Sequence, residues 1–172
     1  MTVALDKVSV GIQKYCAIMD RLHTVNVAQD PDFQRLFNGY YRMRQRTPAF
    51  YQAFYGYLEQ QKYNRQLTFH EVLSHLYGAT GILTPSFSSK LLATVRPEMP
   101  VWDQFVLKNL GLKAPYYYDK NRVAKIESLY DAICEWYHTS EAQKYLDFFN
   151  SNFADIPITD TKKIDLILWQ TR

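Results

Sequence analysis

Residues 68–112 read TFHEVLSHLYGATGILTPSFSSKLLATVRPEMPVWDQFVLKNLGL. Thr68 with Glu71 three residues on is a capping box, in which a hydroxyl and a carboxylate each satisfy an orphan amide at a helix start. Val72, Leu73, Leu76 and Tyr77 then recur at helical spacing, and Gly78 is expected to end that helix. The irregular segment ATGILTPSF leads into a second helix near 86–95, which opens on small residues and stops at Arg96-Pro97. Pro100 opens a third, VWDQFVLKNLG, closed by Gly111 as the left-handed residue after a helix.

The same punctuation extends in both directions. Val8, Ile12, Tyr15, Ile18 and Leu22 line one face of a helix over about 6–23. Asp30-Pro31 and Thr47-Pro48 each place a capping side chain before a proline at the first helical position, followed by periodic aromatics. Beyond the loop LKAPYYYDKN come helices over about 122–138 and 140–149, and a last one capped by Thr159 or Asp160. With no repeat, linker or low-complexity run, the chain reads as a single all-α domain of eight or nine helices over 1–172.

Composition agrees with that reading. The chain has 172 residues, 47% apolar and 16% aromatic, enough for a substantial core and incompatible with disorder or a collagen-like repeat. Six glycines and seven prolines are too few for a turn-rich β-sandwich or a glycine-rich phosphate loop. Two cysteines, Cys16 and Cys134, cannot form a disulfide framework and are expected to be buried free thiols. The start MTVALDKVSV lacks the basic and apolar regions of a secretory leader, and no window of 18 apolar residues occurs. A cytoplasmic protein with no membrane segment is the expectation.

The net charge of +3 is unevenly spread. Residues 35–65 carry Arg35, Arg42, Arg44, Arg46, Lys62 and Arg65 against Glu59 alone, while residues 119–172 are net −2. A basic stretch interleaved with Tyr40, Tyr41, Phe50 and Tyr51 suits a phosphate backbone with base stacking; the plainer alternative is a solvated turn between helices. Metal chemistry is not expected: His70 and His75 are five apart rather than four, and no CxxC occurs. No GxSxG elbow marks a hydrolase nucleophile, and Lys162-Lys163 near Asp165 reads as a charged helix face. No cofactor is implied.

Asp103 follows Pro100, Val101 and Trp102 at a helix start, where free amides and the helix dipole favour its ionised form. This order resembles the helix-hairpin-helix superfamily of DNA base-excision glycosylases: a helix pair joined by a tight hairpin, a helix opening on small residues, then a Pro-Val-x-Asp-x-x-Val turn into a helix ending Leu-Gly-Leu. The resemblance covers roughly residues 68–112. It implies DNA as partner, a role in DNA repair, and a hydrolase acting on N-glycosidic bonds, with Asp103 as the catalytic aspartate. Aligning Ser88-Ser89 with the small residues that follow the family lysine puts Phe87, not Lys90, at the nucleophile's position, so the implied enzyme is monofunctional. Arg42, Arg44 and Arg46 are expected to bind phosphate, Ser88 and Lys90 to contact the backbone near the hairpin, and Trp102 to wall a pocket for an extruded base. The alternatives are a catalytically silent nucleic-acid-binding module on the same scaffold and a protein-interaction bundle with a tyrosine-rich surface.

Overall fold

The computed structural model describes residues 3–153 and 155–171. Among them the chain forms nine helices: α1 (Leu5–Leu22), α2 (Pro31–Tyr40), α3 (Pro48–Gln61), α4 (Phe69–Thr80), α5 (Pro85–Val95), α6 (Gln104–Asn109), α7 (Arg122–Trp136), α8 (Ser140–Asn152) and α9 (Asp160–Leu168). The all-α single domain is therefore observed. The one bridge outside the helices joins Val3 to Thr171, so the two described ends of the chain meet.

Helix α5 organises the rest, because every residue from Phe87 to Val95 is buried. Apart from Lys90 its residues in this stretch are apolar or small on every side, so the helix has no solvent face and must be surrounded. It packs against α4 and α3; of its fully buried hydroxyls, those of Ser89 and Thr94 have partners, while Ser88 Oγ has none among the described residues. Thr94 Oγ1 donates to the Lys90 carbonyl, and Ser89 Oγ donates to the Ser86 carbonyl while accepting the Trp102 amide at 2.9 Å. One continuous core runs from Ile18 on α1 to Leu168 on α9, and a smaller cluster of Val8, Ile12, Phe149, Leu166 and Ile167 closes α1 onto α8 and α9.

The caps form where the side chains allow them. Asp30, Thr47, Thr68, Thr139 and Thr159 each accept a first-turn amide, and Thr68 with Glu71 completes the capping box. Several boundaries differ from the sequence reading: α7 ends at Trp136 rather than 138, α8 runs on to Asn152 rather than 149, and two further shifts have a clear local cause. Helix α4 runs through Gly78 to Thr80, and the terminator is Gly81, whose φ of 70° lets its amide turn back to the Tyr77 carbonyl. Helix α6 starts at Gln104 rather than at Val101, because Asp103 has extended backbone and serves as its cap, leaving Val101 and Trp102 outside the helix.

Three readings are corrected by burial. Lys162 and Asp165 are fully buried rather than on a charged helix face: Nζ of Lys162 lies 2.9 Å from Oδ2 of Asp165, and the Tyr137 hydroxyl donates to the other carboxylate oxygen. Tyr41 and Phe50, expected to interleave with the basic residues for stacking, are 4% exposed and belong to the core. Cys16 and Cys134 are free as expected, but half-buried; burial pushes the Cys134 thiol up to about 11.

No described helix is long and apolar enough to cross a membrane.

Candidate functional site

The turn between α5 and α6 is held from several sides. Arg96 donates to the Leu67 carbonyl at its start, Thr159 Oγ1 donates to the Pro97 carbonyl, and the Tyr130 hydroxyl donates to the Pro100 carbonyl at 2.9 Å. The Trp102 amide is bound by Ser89. Residue 103 therefore leaves a backbone pinned to α5, α7 and the start of α9. Oδ1 of Asp103 accepts the amides of Phe105 and Val106 at 2.8 and 3.1 Å, which fixes the carboxylate plane. Oδ2 makes no hydrogen bond within the described protein and is free for a ligand or water.

Asp103 opens on a cavity of about 170 Å³ built by five helices and the loop after α2. Its floor and walls are Tyr40, Tyr41, Phe105, Leu166 and Trp169. Lys7 and Lys14 from α1, Arg42 from the loop and Lys90 from α5 supply positive charge around Asp103, the one carboxylate among the described residues that lines it. Gly11 lets α1 approach: a Cβ there would meet Cδ2 of Leu166 at 2.9 Å.

Lys90 is the electrostatically unusual group. It is 7% exposed, with Nζ donating to Ser86 Oγ at 3.0 Å and lying 5.1 Å from the Phe87 ring centre. Burial lowers its pKa to about 8, opposed by the Asp103 carboxylate and reinforced by Arg46. Near neutrality the amine is thus easily deprotonated compared with a surface lysine.

Behind the aromatic wall, Lys162 Nζ lies 5.0 Å from the ring centre of Tyr15 and 5.3 Å from that of Trp169. Burial opposes this ammonium's charge, but the Asp165 carboxylate beside it prevails and holds its pKa above the usual lysine value. Burial likewise raises the phenols of Tyr40 and Tyr41, which stay protonated. Tyr40 Oη and Trp169 Nε1 are buried without a partner among the described residues.

The sequence-predicted site residues divide into those that meet and those that do not. Asp103, Lys90 and Arg42 meet in the cavity, although they are far apart in sequence. Lys90 faces that cavity instead of the outer backbone of the hairpin, because the helix it sits on is internal. Arg44 and Arg46 are exposed in the loop between α2 and α3, and the Arg46 guanidinium lies 4.7 Å from the Phe87 ring centre. Arg42 takes φ of 52° and Gln45 φ of 57°, so this loop winds tightly.

Ser88 is fully buried, which removes it from any backbone contact at the surface. Trp102 is 4% exposed and packs in the core rather than walling the cavity; Trp169 takes that place. Of the wider basic stretch, Arg35 pairs with Asp32, Lys62 is buried against Glu59 and the Val25 carbonyl, and Arg65 donates to the Val95 carbonyl. Lys62 is thereby withdrawn from the surface, and the 42–46 part is the stretch that adjoins the cavity.

Sequence reasoning missed the contribution of α1. Lys7, Val10, Gly11 and Lys14 follow the three-and-four spacing of a single helix face. That face, flanking the apolar one on the helix, is the available signal. Comparison with protein-family models, with curated proteins and with solved structures finds no match.

Proposed function

We propose that this protein binds DNA and receives an extruded nucleotide in the cavity beside Asp103, as a monofunctional base-excision glycosylase would. The observation that carries the reading is the convergence of Lys7, Lys14, Arg42 and Lys90 on an aromatic-walled cavity lined by one carboxylate. Cations at a mouth suit flanking phosphates, and aromatic walls suit a base face. The helix pair α4–α5 with its turn at Gly81–Thr84, followed by an acid-capped helix, agrees with the helix-hairpin-helix resemblance.

In this reading Oδ1 of Asp103 is committed to its helix and Oδ2 does the chemistry. It takes a proton from water as the water oxygen bonds to C1′ of the sugar. The base departs with the electron pair of the N-glycosidic bond and takes a proton from solvent as it leaves, and the proton on Oδ2 returns to solvent. The carboxylate also steadies positive charge on the sugar ring as that bond breaks. The tethered turn supplies the preorganisation such a role needs.

The test is release of free base from duplexes bearing deaminated, alkylated or oxidised bases. Asp103→Asn retains an oxygen to cap α6, so it is expected to fold normally and lose at least about a hundredfold in release. Changing Arg42, Arg44 and Arg46 together to Ala is expected to weaken duplex binding and flatten its salt dependence. Retained binding with no release from any duplex would favour the catalytically silent module, and no binding at low salt would leave the protein-interaction bundle.

One observation favours a second reading. The lowered pKa of Lys90, in the cavity with Asp103, suits an amine that attacks C1′ itself. Borohydride trapping separates the two: the monofunctional reading expects no adduct, and a covalent product lost in Lys90→Met would replace it.

A further inference from the structure

The loop between α6 and α7 carries Tyr116, Tyr117 and Tyr118 in succession, exposed to 87%, 71% and 91%. These are large rings that the core does not use. Tyr117 and Tyr118 meet edge to face with ring centres 5.1 Å apart, and the Arg122 guanidinium lies 4.8 Å from the Tyr117 centre. The loop is therefore organised by its own contacts and still presents its rings to solvent.

It borders an open groove of about 570 Å³, whose other side is the α4–α5 turn with half-exposed Ile82. The groove shares no lining residue with the cavity beside Asp103. Residues 113–125 carry Lys113, Lys120, Arg122 and Lys125 against Asp119 alone, a net +3. Two acids among the described residues line the groove, Asp119 and Glu127, and each has a partner: Asp119 binds Lys125, and Glu127 meets His70. Lys113 and Lys120 are exposed, and Arg122 Nε is buried with no acceptor among the described residues. The first turn of α7 holds no acid, and Asn121 provides no side-chain cap to its amides.

We infer that the Tyr116–Tyr118 loop and the groove beside it bind unpaired nucleotides, with bases stacking on the tyrosines and phosphates meeting Lys113, Lys120 and Arg122. Aromatic rings between free cations match the alternation of bases and phosphates along a single strand. A purely apolar partner would leave those cations unmatched. This surface goes beyond the cavity and does not depend on base release there.

The test uses the full chain and a fluorescein-labelled single-stranded DNA of about 12 nucleotides, followed by anisotropy over a series of salt concentrations. Y116A/Y117A/Y118A is expected to weaken binding by about tenfold or more with an unchanged salt slope, since stacking releases no counterions. The corresponding triple Phe variant should restore the affinity. K113A/K120A should make the log–log slope shallower by about 1.4. All five side chains are exposed, so an unchanged Tm certifies the fold of each variant.

Asp103→Asn separates the two proposals: it should bind the single strand like the parent protein even as base release is lost. Equal affinity of the triple Ala variant, or no binding of the oligonucleotide at low salt, would overturn the inference. So would preference for phosphatidylserine vesicles over the oligonucleotide, or a concentration-dependent dimer that the triple Ala variant abolishes.

Discussion

At Lys90 the fold places an ammonium where water cannot reach it well, and only one carboxylate answers it. Between its folded pKa of about 8 and its ordinary 10.5, the unfolded chain binds more protons than the folded one. Stability therefore rises with pH across that window, and below about 8 the buried charge is a standing cost. Lys90→Met keeps the volume and removes the charge. It is expected to stabilise the protein at pH 7 by up to about 3 kcal/mol, a gain that shrinks toward zero as pH approaches 10.5. Urea unfolding at several pH values checks this, and a gain independent of pH would contradict it.

Among the elements, α4 shows how two glycines three residues apart play different parts. Gly78 has ordinary helical backbone, and a Cβ there would meet nothing within 4 Å. Gly78→Ala is expected to raise stability by about 0.5–1 kcal/mol, through the smaller entropy lost on folding. Gly81 also has open space, but its φ of 70° strains any residue with a Cβ. Gly81→Ala is expected to cost about 1 kcal/mol and to loosen the α4–α5 turn that borders the tyrosine groove. Chemical denaturation of both variants tests the pair, and the signs should be opposite. The sequence made α4 and its cap plain, while the terminator was misplaced. Gly78 and Gly81 carry equal helix-ending signals, and only the backbone torsion at each position separates them.

For the whole molecule, the Lys162–Asp165–Tyr137 cluster joins α9 to α7 and sets a cation against rings from α1, α2 and the segment after α9. Removing one partner leaves the other charge buried and alone. Lys162→Ala is expected to cost about 3–5 kcal/mol, whereas Lys162→Met with Asp165→Asn should lose much less, because neither change then strands a charge. A thermodynamic cycle on these variants measures the coupling. The aromatic wall of the cavity rests on this cluster through Tyr41 and Trp169, so the single variant should also weaken duplex binding beyond its effect on stability.

The sequence by itself determined the helical class, most caps and the helix start that bears Asp103. Those features depend on residues within one or two turns of each other, where side-chain oxygens, prolines and apolar spacing act directly on the local backbone. It also pointed to Arg42, Lys90 and Asp103 without being able to join them. The tertiary structure alone decided that these three share a cavity with Lys7 and Lys14, that Ser88 and Trp102 belong to the core, and that Lys162 and Asp165 are inside. Burial depends on which faces of distant helices meet. A lysine on a helix reads the same in sequence whether its neighbour in space is water, a carboxylate or a cage of aromatic rings.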